Sequence, residues 1–156
     1  MRVIYSITSV FFIMFVMFMV GKTISFNKEA INNKCTAKLI MTEPHFSLKT
    51  EVNITLVFNG NSMGYIDVSG RVNHDQVSSI ISRVVTFHYS VLENNIFHIN
   101  NMKTIKNFSD DTDDSISNSF AIINNEKERY IEVSKIGNNF LVSNMHSPVF
   151  LCMKND

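Results

Sequence analysis

Beyond residue 50 apolar and polar positions alternate with a period of two, the signature of half-buried β-strands. In residues 51–58, Val52, Ile54, Leu56 and Phe58 share one face while Glu51, Asn53 and Thr55 share the other. Asn59-Gly60-Asn61 follows as a turn. Residues 63–72 then place Ile66, Val68 and Val72 on one side and Tyr65, Asp67, Ser69 and Arg71 on the other. The two runs predict a β-hairpin. Alternation weakens over residues 73–82, which read as a short helix or loop. A further strand is predicted over 84–92, with Val85, Phe87, Tyr89 and Val91 on its richer apolar face. Glu93-Asn94-Asn95 turns the chain into a strand over 96–105. A three-residue loop sets Phe97 against Val91 and Ile99 against Tyr89. A two-residue loop would bring His98 and Asn100 there instead, so the first register is the expected one. After an acidic loop over 108–119, residues 130–136 and 139–143 form a hairpin around Gly137-Asn138, and 145–153 supply a last strand. Six to eight short strands with Gly/Asn turns predict a mainly β domain, a small antiparallel barrel or sandwich.

The N-terminus follows another pattern. Residues 3–20 are eighteen positions without a charge, bounded by Arg2 and by Gly21-Lys22. As a helix they would span roughly 27 Å, close to the hydrocarbon thickness of a bilayer. A cleaved signal peptide has a shorter apolar run and a small-x-small site, and Thr23-Ile24-Ser25 fits that site poorly. The expected organisation is a membrane anchor over 1–22, a polar tether over 23–34 and a β domain over 35–156. Arg2 and the free amine favour an N-terminus inside the cell, although Lys22, Lys28 and Lys34 blur the bias.

A length of 156 residues allows one ordinary domain. Lys plus Arg and Asp plus Glu each number 14, so the basic excess that a nucleic-acid binder needs is absent. Cys35 and Cys152 are the only two cysteines, one near each end of the β domain. Such a pair in an exported domain reads as a disulfide. It would close a loop of 117 residues, worth about 4–5 kcal/mol on the chain-entropy model.

Candidate chemistry is sparse. Asp110-Asp111-Thr112-Asp113-Asp114 lacks the glycine and terminal glutamate of a calcium hand and reads as a solvated loop. His88 and His98 fall on one face as diagonal neighbours, with no cysteine or carboxylate beside them in the pattern, so no metal site is expected. No nucleophile elbow, phosphate loop or dinucleotide fingerprint occurs, which predicts neither an enzyme nor a cofactor. The expected inner face carries Ile54, Leu56, Ile66, Val68, Phe87, Tyr89, Phe97 and Ile99. In a closed barrel these either pack solid, the default, or line a cavity for one small apolar ligand.

Several stretches recur together in a known pattern: Cys35 soon after the apolar run, residues 64–70 (GYIDVSG), residues 83–89 (RVVTFHY), the glycine turn at Gly137 and the closing residues 147–152 (SPVFLC). Together they resemble the FidL-like family of enterobacterial inner-membrane proteins. The resemblance implies a lipocalin-like periplasmic barrel. It also implies an accessory role beside a single-pass membrane transcription regulator, similar to the ToxR/ToxS and VtrA/VtrC pairs. In those pairs the small partner's periplasmic domain forms a heterodimer with the regulator's, and bile salts or related amphipaths can bind in the shared barrel. The alternative is a stand-alone periplasmic carrier of lipid or another small molecule.

Overall fold

Eight strands, each hydrogen-bonded antiparallel to the next, close into one barrel in a computed structural model. It describes residues 11–18, 34–43, 47–75, 77–118, 120 and 128–154. The strands run in chain order around the barrel: β1 (Lys34–Glu43), β2 (Leu48–Asn59), β3 (Met63–His74), β4 (Val77–Val91), β5 (Ile96–Lys106), β6 (Glu128–Ile136), β7 (Asn139–Asn144) and β8 (Pro148–Lys154). The sandwich alternative is thereby excluded. Residues 11–18 are helical, and among the described residues no helix is long and apolar enough to cross a membrane. Most of the expected anchor and tether lies outside the described residues.

Turn chemistry sets the register as the sequence predicts. Asn59 pairs with Met63, leaving a three-residue loop whose last residue, Ser62, takes a left-handed φ of 63°. Val91 pairs with Phe97 and Tyr89 with Ile99 around the 3-10 turn Glu93–Asn95. Gly137, at φ 62°, holds the first central position of the two-residue turn joining Ile136 to Asn139, where hairpin turns favour glycine. Two expectations need correction. The expected tether ends at residue 34 and no strand is predicted over 35–43, yet β1 pairs with β2 along ten rungs, Lys34↔Val57 to Glu43↔Leu48. Residues 73–82 are neither helix nor loop but the end of β3 and the first part of β4, paired from Asn73↔Ser78 inward. Alternation fails there because inward Ser79 is polar, with its partner Thr112 far along the chain, and outward Ile80 is apolar yet exposed.

Strand length makes the barrel lopsided. On one side β2, β3 and β4 run 12, 12 and 15 residues, whereas β7 and β8 run 6 and 7. Closure between β1 and β8 rests on two ladder pairs, Cys35↔Lys154 and Thr36↔Met153. The Cys35–Cys152 disulfide sits on this seam, with Cα atoms 5.4 Å apart. It therefore staples the barrel where hydrogen bonding is thinnest.

The interior changes character along its axis. At the end where β1 begins, Phe58, Phe87, Tyr89 and Phe97 interlock, with Phe58 edge-on to Phe87 (5.8 Å) and to Tyr89 (5.0 Å), and 4.6 Å from Phe97. Gly64 lies under the Phe87 ring, and a Cβ there would stand 2.5 Å from two ring carbons and 2.7 Å from the Val57 carbonyl oxygen. Buried Tyr89 donates its hydroxyl to the Asn59 carbonyl, 2.5 Å away. Burial raises the pKa of that phenol above its ordinary value. Ile54, Leu56, Ile66, Val68, Val85 and Ile99 fill the middle. Buried Thr50, Arg83, Asp110 and Thr112 lie toward the other end.

Candidate functional site

The polar end is built around Arg83. It follows Ile81 on the inward face of β4 and is only 4% exposed. A guanidinium inside a barrel must find partners for all its donors, and residues 107–118 supply them. After Lys106 the chain stays against β4: the Asn107 amide donates to the Ser82 carbonyl and the Asp111 amide to the Ile80 carbonyl. This path swings the Asp110 side chain inward. Arg83 Nε donates to Asp110 Oδ2 (2.8 Å), Nη1 to Ser117 Oγ (2.6 Å), and Nη2 to the Thr112 carbonyl (2.9 Å) and to Asp114 Oδ1 (2.8 Å). Asp110 also accepts the backbone N–H groups of Ser82 (2.9 Å) and Thr112 (3.0 Å). Lys106 Nζ donates to the Thr112 carbonyl (2.8 Å). Thr112 Oγ1 closes the set on Ser79 Oγ (3.1 Å).

Burial alone would raise the Asp110 pKa, but the Arg83 guanidinium and the two backbone donors outweigh it and hold the carboxyl below its ordinary value. Burial likewise works against the charge on Arg83, and Asp110 with Asp114 reverses it, so its pKa is raised. The acidic run is therefore no freely solvated loop. Asp110 and Thr112 are buried, Asp111, Asp113 and Asp114 are exposed although Asp114 still reaches Arg83, and the segment forms a cap over the barrel end. Among the described residues no group of His, Cys, Asp and Glu could hold a metal ion.

Beneath and beside this cap is a cavity of about 710 Å³. Met41, Thr42 and Glu43 of β1, Leu48 of β2 and His74 of β3 form one wall, and Ser115, Ile116 and Phe120 from the cap form the other. The volume lies in the range of small-molecule sites, and the mainly apolar lining with a few polar groups is their usual composition. One rung below Leu48 on β2, Thr50 is fully buried with a hydroxyl that has no hydrogen-bond partner.

The eight residues singled out in the sequence lie elsewhere. Ile54, Leu56, Ile66, Val68, Phe87, Tyr89, Phe97 and Ile99 are all inward and at most 7% exposed, and none lines the mouth cavity. They pack against one another as the solid part of the core, and only Phe87 also touches a smaller hollow of about 450 Å³ at the β4–β5 bulge. His88 and His98 face outward as expected, with His98 stacked on Tyr130 (4.7 Å) and 3.3 Å from Glu128. Sequence reasoning missed the mouth residues. The available signal was a lone arginine on the apolar face of a strand, followed by a run of carboxylates.

A closed eight-stranded antiparallel barrel, solid at one end and capped over a cavity at the other, defines a class of small barrel compatible with a binding protein. Residues 70–152 match the family described as FidL-like putative membrane protein, and the chain belongs to that family. The matched span contains Arg83, Asp110 and Cys152 and begins after β1 and β2. No curated protein matches the chain significantly.

Proposed function

We propose that this chain is a membrane-anchored periplasmic accessory protein. It pairs with and stabilises a single-pass membrane transcription regulator, and it holds a small amphipath at the barrel mouth. It is a subunit and has no catalytic role. The regulator and the bacterial inner-membrane location rest on the family resemblance. The observation that carries the pairing is the edge of β1: past Thr36, residues 37–43 have no ladder partner on the β8 side among the described residues. Such an edge can accept a partner strand by β-addition. A shared anchor plane would raise the effective concentration of the two domains. The cavity beneath the cap supports the ligand part of the reading.

One observation favours a second reading. The barrel closes with its own eight strands, as a stand-alone lipid or small-molecule carrier would require. Cross-linking the full-length protein in its native membrane, followed by mass spectrometry of what it retains, separates the two. Enrichment of a single-pass protein with a DNA-binding domain is the expected result. Co-purified lipid without such a protein makes the carrier the better reading.

A further inference from the structure

We propose that the mouth cavity selects an amphipath with a cationic head, such as a long-chain amine or quaternary ammonium, over one with an anionic head. The inference rests on the mouth being the ligand site and adds the sign of the ligand's charge. The resemblance implies bile salts, which are anions; the charges of this cavity favour the other sign.

The apolar walls, Met41, Leu48, Ile116 and Phe120, ask for a hydrocarbon body. The only ionisable side chains among the described lining residues are Glu43 and His74. Glu43 makes no ion pair among the described residues, so its carboxylate is available to a ligand. His74 leans toward Asp75, 3.5 Å away. The two cations beside this end, buried Arg83 and half-exposed Lys106, are already engaged. Arg83 is held by Asp110 and Asp114, and Lys106 by the Thr112 carbonyl with Asp110 at 3.5 Å. An anionic head would have to displace the buried Asp110 carboxylate to reach Arg83, and Lys106, with its side chain 42% exposed, does not line the cavity. Lys49, next to Leu48, is exposed on the outward face of β2. Asp75, Asp111 and Asp113 add exposed negative charge around the same end. The charges of the described residues at the mouth therefore favour a cation over an anion.

Two ligands with one tail, decyltrimethylammonium and decyl sulfate, isolate the charge. Full-length protein in lipid nanodiscs, carrying 13C-methyl methionine, reports binding through Met41, and empty nanodiscs correct for partitioning. The expected result is binding of the ammonium about tenfold tighter than the sulfate. Glu43→Gln should cut that ratio to about threefold or less, with unchanged melting temperature. Equal or tighter binding of decyl sulfate at Met41 overturns the charge assignment and leaves the cavity as a ligand site. So does a ratio that Glu43→Gln does not alter. If neither ligand moves the Met41 methyl at saturation, the cavity reading fails and the charge assignment falls with it.

Discussion

Asp110→Ala is the most informative single perturbation of the cap. The substitution removes the acceptor of Arg83 Nε and of the Ser82 and Thr112 amides, all within 3.0 Å. Breaking a buried ion pair by deleting one partner costs about 3–5 kcal/mol, because the other charge stays buried. The lower part of that range applies, since Asp114, Ser117 and the Thr112 carbonyl still hold the guanidinium. Against a total stability of about 5–15 kcal/mol, a loss near 3 kcal/mol lowers the melting temperature by about 10–20 °C for a domain of this size. The chain has no tryptophan, so far-UV circular dichroism of the full-length protein in detergent is the direct readout, with limited proteolysis between residues 107 and 118 as the local one. Replacing the pair together, Arg83→Met with Asp110→Leu, should recover most of the loss, because an apolar pair avoids the desolvation cost. A melting temperature for Asp110→Ala within about 3 °C of wild type, about 1 kcal/mol or less, with no new cleavage in the cap, would refute the claim that this pair pins it.

The other expectations concern separate parts of the barrel. Acid should act through Asp110: its folded pKa lies below the ordinary 3.8, so its stabilisation is complete above that value and disappears as pH falls through the lower folded one. Wild type and Asp110→Asn should therefore differ in urea midpoint at pH 7 and converge in strong acid. Reducing the disulfide, or Cys152→Ser with Cys35→Ser, should cost about 4–5 kcal/mol through the 117-residue loop, and equal urea midpoints under oxidising and reducing conditions would remove the seam argument. Gly64→Ala should destabilise by about 1–3 kcal/mol, because the added methyl meets both the Phe87 ring and the Val57 carbonyl. Thr50→Val should raise stability by about 1 kcal/mol by removing a buried hydroxyl without a partner, and a lower melting temperature would indicate that the hydroxyl has one.

What could be read from the chain depended on where each strand finds its neighbours. The hairpins β2–β3, β4–β5 and β6–β7 are local, and alternation plus turn residues was enough to place Tyr89 against Ile99 and Ile136 against Asn139. β1 escaped notice because its exposed positions mix Lys38 with Ile40 and its inward ones include small Ala37, so hydrophobicity hardly alternates. Its partners, β2 and the distant β8, are what make it a strand. The upper part of β4 was hidden for a different reason. Ser79 and Arg83 are inward because the cap, some thirty residues later, brings Thr112 and Asp110 to meet them. Pattern reading equates inward with apolar, and that rule fails where an interior is completed by a loop remote in sequence. The same failure marks the site. The eight most core-like residues pack against one another, the default expected of them, and none lines the mouth cavity. The mouth cavity lies where the lining changes to Glu43, His74 and Ser115, beside buried Arg83 and Thr50, and a cap replaces a ladder. In a barrel this small, the break in the hydrophobic pattern was therefore a better pointer to the cavity than the pattern itself.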